Sequence, residues 1–165
     1  MPYQPIENYG LIGNMRTTAL VGMNGSIDWM CFPHFDSPSV FAAILDDGKG
    51  GRFSIDPVPH HVRSKQYYWP DTNVLVTRFH TADGVGRVID FMPVGKDSSD
   101  CTQRGIVRRI QCIRGPMTFR VECRPAFNYG RDTHTTTLET QGGVFQSPNL
   151  SLRLGATVPL QQEGD

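Results

Sequence analysis

Residues 24–43 read Asn-Gly-Ser-Ile-Asp-Trp-Met-Cys-Phe-Pro-His-Phe-Asp-Ser-Pro-Ser-Val-Phe-Ala-Ala, and the rest of the chain reads as support for this stretch. Asn24-Gly25 is a two-residue hairpin signal of the type I′ kind, which predicts positive φ at both residues. After it, Ile27, Trp29 and Cys31 alternate with Asp28, Met30 and Phe32, the period of a β-strand. Pro33 ends that strand, because it brings no N–H to a ladder and restricts Phe32 before it. Ser37-Pro38 then reads as an N-cap followed by a first-turn proline, predicting one short helix near residues 38–45 with Val40, Phe41, Ile44 and Leu45 inward.

Working outward, the upstream side offers a short strand at residues 9–12 and a first hairpin arm at 17–22, where Thr17, Thr18 and Val21 favour extended backbone. Downstream, Gly48, Gly50 and Gly51 lead into a strand at 52–58. An aromatic-rich strand at 62–69 and another at 73–80 are joined by the turn signal Pro70-Asp71. Ala82-Asp83-Gly84 predicts a hairpin into 85–92, and residues 96–100 form a polar loop. A hairpin over 106–123 is predicted to turn at Arg114-Gly115-Pro116. On its second arm Met117, Phe119, Val121 and Cys123 alternate with Thr118, Arg120 and Glu122, the mark of one buried face. Residues 133–139, the Gly142-Gly143 turn with 144–146, and the alternating Leu150, Leu152 and Leu154 complete the pattern. Ten to twelve short strands with turn residues between them make the class all-β, an antiparallel sandwich or barrel.

A length of 165 residues suits one domain with a sizeable core. Sixteen basic and sixteen acidic side chains cancel, which argues against binding nucleic acid or a membrane surface through bulk charge. No apolar run approaches the roughly 20 residues of a membrane span, and the N-terminus lacks a signal-peptide pattern, so a cytoplasmic location is expected. Cys31, Cys101, Cys112 and Cys123 have no CxxC spacing and are expected as buried free thiols. His34, His60, His61, His80 and His134 are scattered or adjacent, so neither a metal nor another cofactor is expected.

Two carboxyl groups facing one another across a bond would hydrolyse a glycoside, and Asp28 and Asp36, on either side of Pro33, are the candidate pair. The same residues read as local caps, Asp28 bonded to loop amides and Asp36 capping the turn before Ser37. Trp29, or the group Tyr67, Tyr68 and Trp69, could stack on a sugar ring, yet such rings also fill sandwich cores. Asp90, inside a Val-Ile-Asp-Phe-Met strand, is a buried carboxylate for which Arg78, Arg87, Arg108 and Arg109 are candidate partners. A phosphate-binding glycine loop, a GxSxG elbow and an HExxH pair are all missing from the sequence.

Ile6-Glu7-Asn8-Tyr9-Gly10-Leu11-Ile12-Gly13-Asn14, Gly25-Ser26-Ile27-Asp28-Trp29-Met30-Cys31 and Phe35-Asp36-Ser37-Pro38-Ser39-Val40-Phe41-Ala42 together resemble the N-terminal domain of bacterial glycoside hydrolase family 15 proteins, the glucoamylase and trehalase-like enzymes. Pro70-Asp71-Thr72-Asn73-Val74-Leu75, Asp90-Phe91-Met92-Pro93 and Arg124-Pro125-Ala126-Phe127-Asn128-Tyr129-Gly130-Arg131 extend the likeness along the chain. The resemblance implies a large antiparallel β-sandwich of the supersandwich type over residues 1–165, cut short at its C-terminal end, and a separate catalytic (α/α)6 barrel in cis that these residues do not contain. It implies no catalytic residue in this chain. Trp29, His34, Phe35, Asp36, Ser37 and Phe41 are the expected substrate-binding or barrel-interface residues, while Asp28 and Asp90 are expected to be structural. His34 stands where the family usually has arginine, and Asn128 where it often has aspartate. A glucoside ligand and self-association through an exposed sheet edge are further expectations.

Overall fold

The computed structural model describes residues 3–58, 61–94 and 105–163, so the predicted loop at 96–100, Cys101 and His60 lie outside the described residues. Thirteen strands are found among them. They are β1 (Tyr9–Gly13), β2 (Thr18–Gly22), β3 (Ser26–Cys31), β4 (Ser39–Phe41), β5 (Arg52–Pro57), β6 (Arg63–Tyr68), β7 (Leu75–His80), β8 (Val85–Phe91), β9 (Val107–Arg114), β10 (Phe119–Arg124), β11 (Thr135–Glu139), β12 (Gly142–Gln146) and β13 (Ser151–Gly155). A 3-10 turn at Ile6–Asn8 precedes β1, and one helical turn, α1 (Phe127–Gly130), follows β10.

Every pairing is antiparallel. One sheet runs β1-β2-β3-β5-β10 with β4 also on β3, a second runs β6-β7-β8-β9, and a third is β11-β12-β13. The first two pack face to face as a sandwich. Ile55 of β5 meets Phe79 and Val88 of the second sheet, with Phe119 of β10 set edge-on to Phe79 at 5.9 Å between ring centres. Gln66 of β6 donates to the Val21 carbonyl at 3.1 Å, and the Tyr68 hydroxyl exchanges two 2.8 Å bonds with the backbone of Leu11. The backbone of Leu11, on the β1 edge, thus finds its partners on the facing layer.

Three local expectations are corrected. The hairpin at Asn24-Gly25 is a three-residue turn, Gly25 N–H donating to Gly22 C=O at 2.8 Å, and only Gly25 has positive φ. A Cβ at Gly25 would sit 2.2 Å from the Ile55 carbonyl oxygen, so the close approach of β5 fixes which residue takes the left-handed conformation.

Residues 38–45 form no helix. Ser39–Phe41 is β4, pairing Phe41 with Met30 and Ser39 with Cys31, and a single turn follows at 42–46 with Leu45 mostly exposed. The open edge of β3 captures these residues, so pairing with a neighbour overrides the cap signal of Ser37-Pro38.

β9 and β10 are not a hairpin. β9 pairs with β8 and β10 with β5, so residues 115–118 carry the chain from one sheet to the other. A Cβ at Gly115, where φ is +65°, would lie 2.0 Å from the Asp83 carbonyl, so this crossing rests on the neighbouring turn. Alternation on β10 predicts one buried face, but β10 is the last strand of its sheet, so Phe119 and Cys123 are only partly buried and Val121 stays 36% exposed.

The third sheet docks through His134 and Phe145. The imidazole stands edge-on between Phe127 (5.3 Å) and Phe145 (5.9 Å), and this partial burial lowers its pKa. The unfolded chain therefore binds the proton more readily than the folded one, and stability should decline as pH falls below about 6.5. Urea midpoints measured from about pH 7.5 to about pH 5 should show that decline, and His134→Phe should flatten it.

Candidate functional site

β3 is the central strand of its sheet, flanked on one side by β2 and on the other by β5 and then β4. Asp28, at its middle, is 7% exposed, and both carboxylate oxygens are engaged: Ser26 Oγ donates to Oδ1, and the Tyr9 hydroxyl donates to Oδ2 at 2.7 Å. Burial, reinforced by that carboxylate, pushes the Tyr9 hydroxyl pKa well above its ordinary value.

The loop after β3 is fastened at each end. Thr17 Oγ1, buried, bonds to the Cys31 carbonyl, Phe35 N–H donates to Arg16 C=O at 2.9 Å, and Phe32 N–H reaches Pro38 C=O at 3.4 Å. The Phe32–Pro33 peptide is cis. Within the loop Ser37 Oγ accepts from His34 N–H at 3.2 Å, so Ser37 supplies the turn cap expected of Asp36. His34, Phe35 and Asp36 are left exposed at the tip, Phe35 by 58%. Phe41 is 5% exposed and tilts against Phe53 at 6.3 Å, so it belongs to the core and not to the tip. Trp29 is partly buried, with its ring 6.4 Å from Tyr129. Tyr68 and Trp69 keep 43% and 39% of their surface in water.

The turn α1 faces this loop and is backbone-strained. Asn128 (φ 50, ψ 51) and Tyr129 (φ 59, ψ 33) both sit in the left-handed region, uncommon for residues with a Cβ. Ala126 N–H donates to Val40 C=O at 2.9 Å and Asn128 Nδ2 to Asp132 Oδ1 at 3.0 Å, which holds the turn against β4.

Asp90 is fully buried and pairs with Arg108, whose Nε lies 2.9 Å from Oδ1 and whose side chain is 2% exposed. The same guanidinium donates to the Phe53 carbonyl at 2.5 Å and the Gly25 carbonyl at 2.6 Å, and lies 4.7 Å above the Phe53 ring. In the sequence Arg108 is one of four candidate partners for Asp90, because alternation on β9 does not say which sheet the strand joins. Arg87 bonds Gln111 instead, at 2.9 Å.

Cys31 is buried as expected, whereas Cys112 is exposed because β9 lies at a sheet edge; with Cys123, all three described cysteines are free. No three His, Cys, Asp or Glu side chains gather among the described residues, and no helix there is long and apolar enough to cross a membrane.

Residues 2–154 match the family model described as trehalase-like, N-terminal. Among curated proteins, a trehalase of Thermoplasma volcanium is 37% identical over 165 residues, covering 99% of this chain and 26% of the relative. Trehalase 1 of Sulfolobus acidocaldarius is 43% identical over 121 residues, covering 73% of this chain and 19% of the relative. A trehalase of Mycolicibacterium smegmatis is 34% identical, covering 81% and 22% respectively. The chain thus spans about a quarter or less of the length of these relatives. No solved structure matches it. An all-β sandwich whose residues 2–154 match in this way belongs to the family of trehalase-like N-terminal domains.

Proposed function

We propose that this chain is the non-catalytic N-terminal accessory domain of an α-glucoside hydrolase of the trehalase or glucoamylase type, one that supports a catalytic (α/α)6 barrel in cis and shapes its active-site entrance with residues 33–38. The observation that carries this reading is the match over residues 2–154 to a trehalase-like N-terminal family model, in a chain that covers 19–26% of the trehalases it resembles. The chemistry agrees: of the described carboxylates, the two that are buried, Asp28 and Asp90, are each held by neighbouring donors, which suits structural roles. The exposed tip with Phe35 offers an apolar contact on a loop fastened at both ends, a preorganised surface for a partner. Unpaired cysteines suit a reducing, cytoplasmic setting.

The purified chain alone should release no glucose from trehalose, maltose or starch. Adding the C-terminal portion of the Thermoplasma volcanium trehalase in trans should restore hydrolysis, and Phe35→Asp should weaken the association by at least about tenfold. Hydrolysis by the chain alone that Asp36→Asn abolishes would overturn the proposal.

A further inference from the structure

Below the loop tip lies a cleft of about 210 Å³ between residues 32–40, the α1 turn with Asp132, and residues 147–150. This is smaller than the roughly 300–1,000 Å³ of sites for drug-sized molecules, so one small ring is the largest occupant it suits. Ser39 lines the cleft, is fully buried, and its Oγ has no hydrogen-bond partner. A buried hydroxyl without a partner is unfavourable, and turning the Ser39 side chain toward the cleft would let a ligand oxygen relieve it.

The other polar groups converge on the same space. Ser37 Oγ accepts from His34 N–H and keeps its own proton to donate. Asn128 uses its amide NH2 on Asp132 Oδ1, which leaves the Asn128 carbonyl and the second Asp132 oxygen as acceptors. Phe32, Phe127 and Leu150 supply apolar wall. Among the described residues no Lys or Arg lines the cleft, so a phosphate or carboxylate finds no counter-charge there, and the one described carboxylate, already bonded, is too few for a divalent cation. Hydroxyl donors, amide and carboxylate acceptors and an apolar face together match a neutral ring that carries hydroxyls at its rim and C–H groups on its faces.

We propose that this cleft binds a single neutral polyol ring, such as a hexose or a cyclitol, within the domain itself and independently of any barrel. The strained backbone at Asn128 holds the acceptor in place for it.

Amide spectra of the 165-residue chain, titrated with glucose, with myo-inositol and with 2-propanol as an apolar-alcohol control, test this. Glucose or myo-inositol at millimolar concentration should give saturable shifts at Ser39, Asn128 and Ser147. Ser39→Ala, which deletes a hydroxyl without a partner, should keep the thermal midpoint and weaken binding at least about tenfold. Asn128→Gly suits the left-handed backbone while removing the amide, and should abolish the shifts in a chain that still folds. Equal shifts with 2-propanol, shifts spread away from the cleft, or binding unchanged in both variants would each refute the site. Such a failure leaves the accessory role untouched, since that role is read out by barrel complementation.

Discussion

Replacing Asp90 by alanine should lower the unfolding free energy by about 3–5 kcal/mol, because Arg108 would keep its charge where 2% of its side chain reaches water. For a chain of this size that corresponds to a fall in thermal midpoint on the order of 10 °C. Arg108→Met should cost as much for a different reason, since it orphans Asp90 together with the Phe53 and Gly25 carbonyls that the guanidinium now satisfies. The double variant Asp90→Leu with Arg108→Met should recover part of the loss but not all, because those two carbonyls stay unpaired. A double-mutant cycle in urea measures the coupling. Losses within about 0.5 kcal/mol for either single variant would mean that the pair behaves as a surface contact and that the sandwich does not depend on it.

The second large effect is expected at Gly25. Alanine there must take a φ of +87° and place its Cβ 2.2 Å from the Ile55 carbonyl oxygen, backbone that cannot swing aside as a side chain would. Left-handed strain of about 1–2 kcal/mol adds to an overpacking cost of about 1–3, so a loss of roughly 2–5 kcal/mol is expected in a denaturation midpoint. Moving β5 away from Gly25 also shifts the Phe53 carbonyl, on that strand, relative to Arg108, so Gly25→Ala and Arg108→Met should combine to less than their sum. Asn24→Ala is the control. It removes one side-chain bond, Ser26 N–H to Asn24 Oδ1 at 3.1 Å, and should cost about 1 kcal/mol. Equal losses at Asn24 and Gly25 would contradict the account of the turn.

Much of this was legible from sequence because strand period and turn residues are local properties. β2, β3, β7, β8 and β13 lie where alternation and Gly, Pro or Asp turns put them, whereas Gly142-Gly143, read as a turn, opens β12 and the turn falls at Thr140-Gln141. Failures share one physical cause: the local signal was sound and the partner was remote. Ser37-Pro38 is a competent helix start, yet Ser39–Phe41 lies beside the unfilled edge of β3 and pairs there. Arg114-Gly115-Pro116 is a competent hairpin turn, yet the strands on either side are claimed by β8 and β5. At the site, the tip residues His34, Phe35 and Asp36 could be singled out from the sequence. The cleft beneath them could not, since it joins residues near 37, 128 and 149 that only the folded chain brings together. The one sequence hint was the run Arg124 to Arg131, whose Asn128-Tyr129-Gly130 portion now accounts for three consecutive left-handed residues.

β3 also sets how the chain tolerates changes of length. Its six residues are held by β2 along one edge and by β5 and β4 in turn along the other, each with its own register. Slipping by one position would turn Asp28 into the place of a core residue and would break three pairings at once. The stretch therefore works as a ruler against which three other strands are measured. An insertion or deletion of one residue between Ser26 and Cys31 cannot be absorbed by sliding, whereas an added residue in an exposed turn such as Thr140-Gln141 leaves every ladder in step.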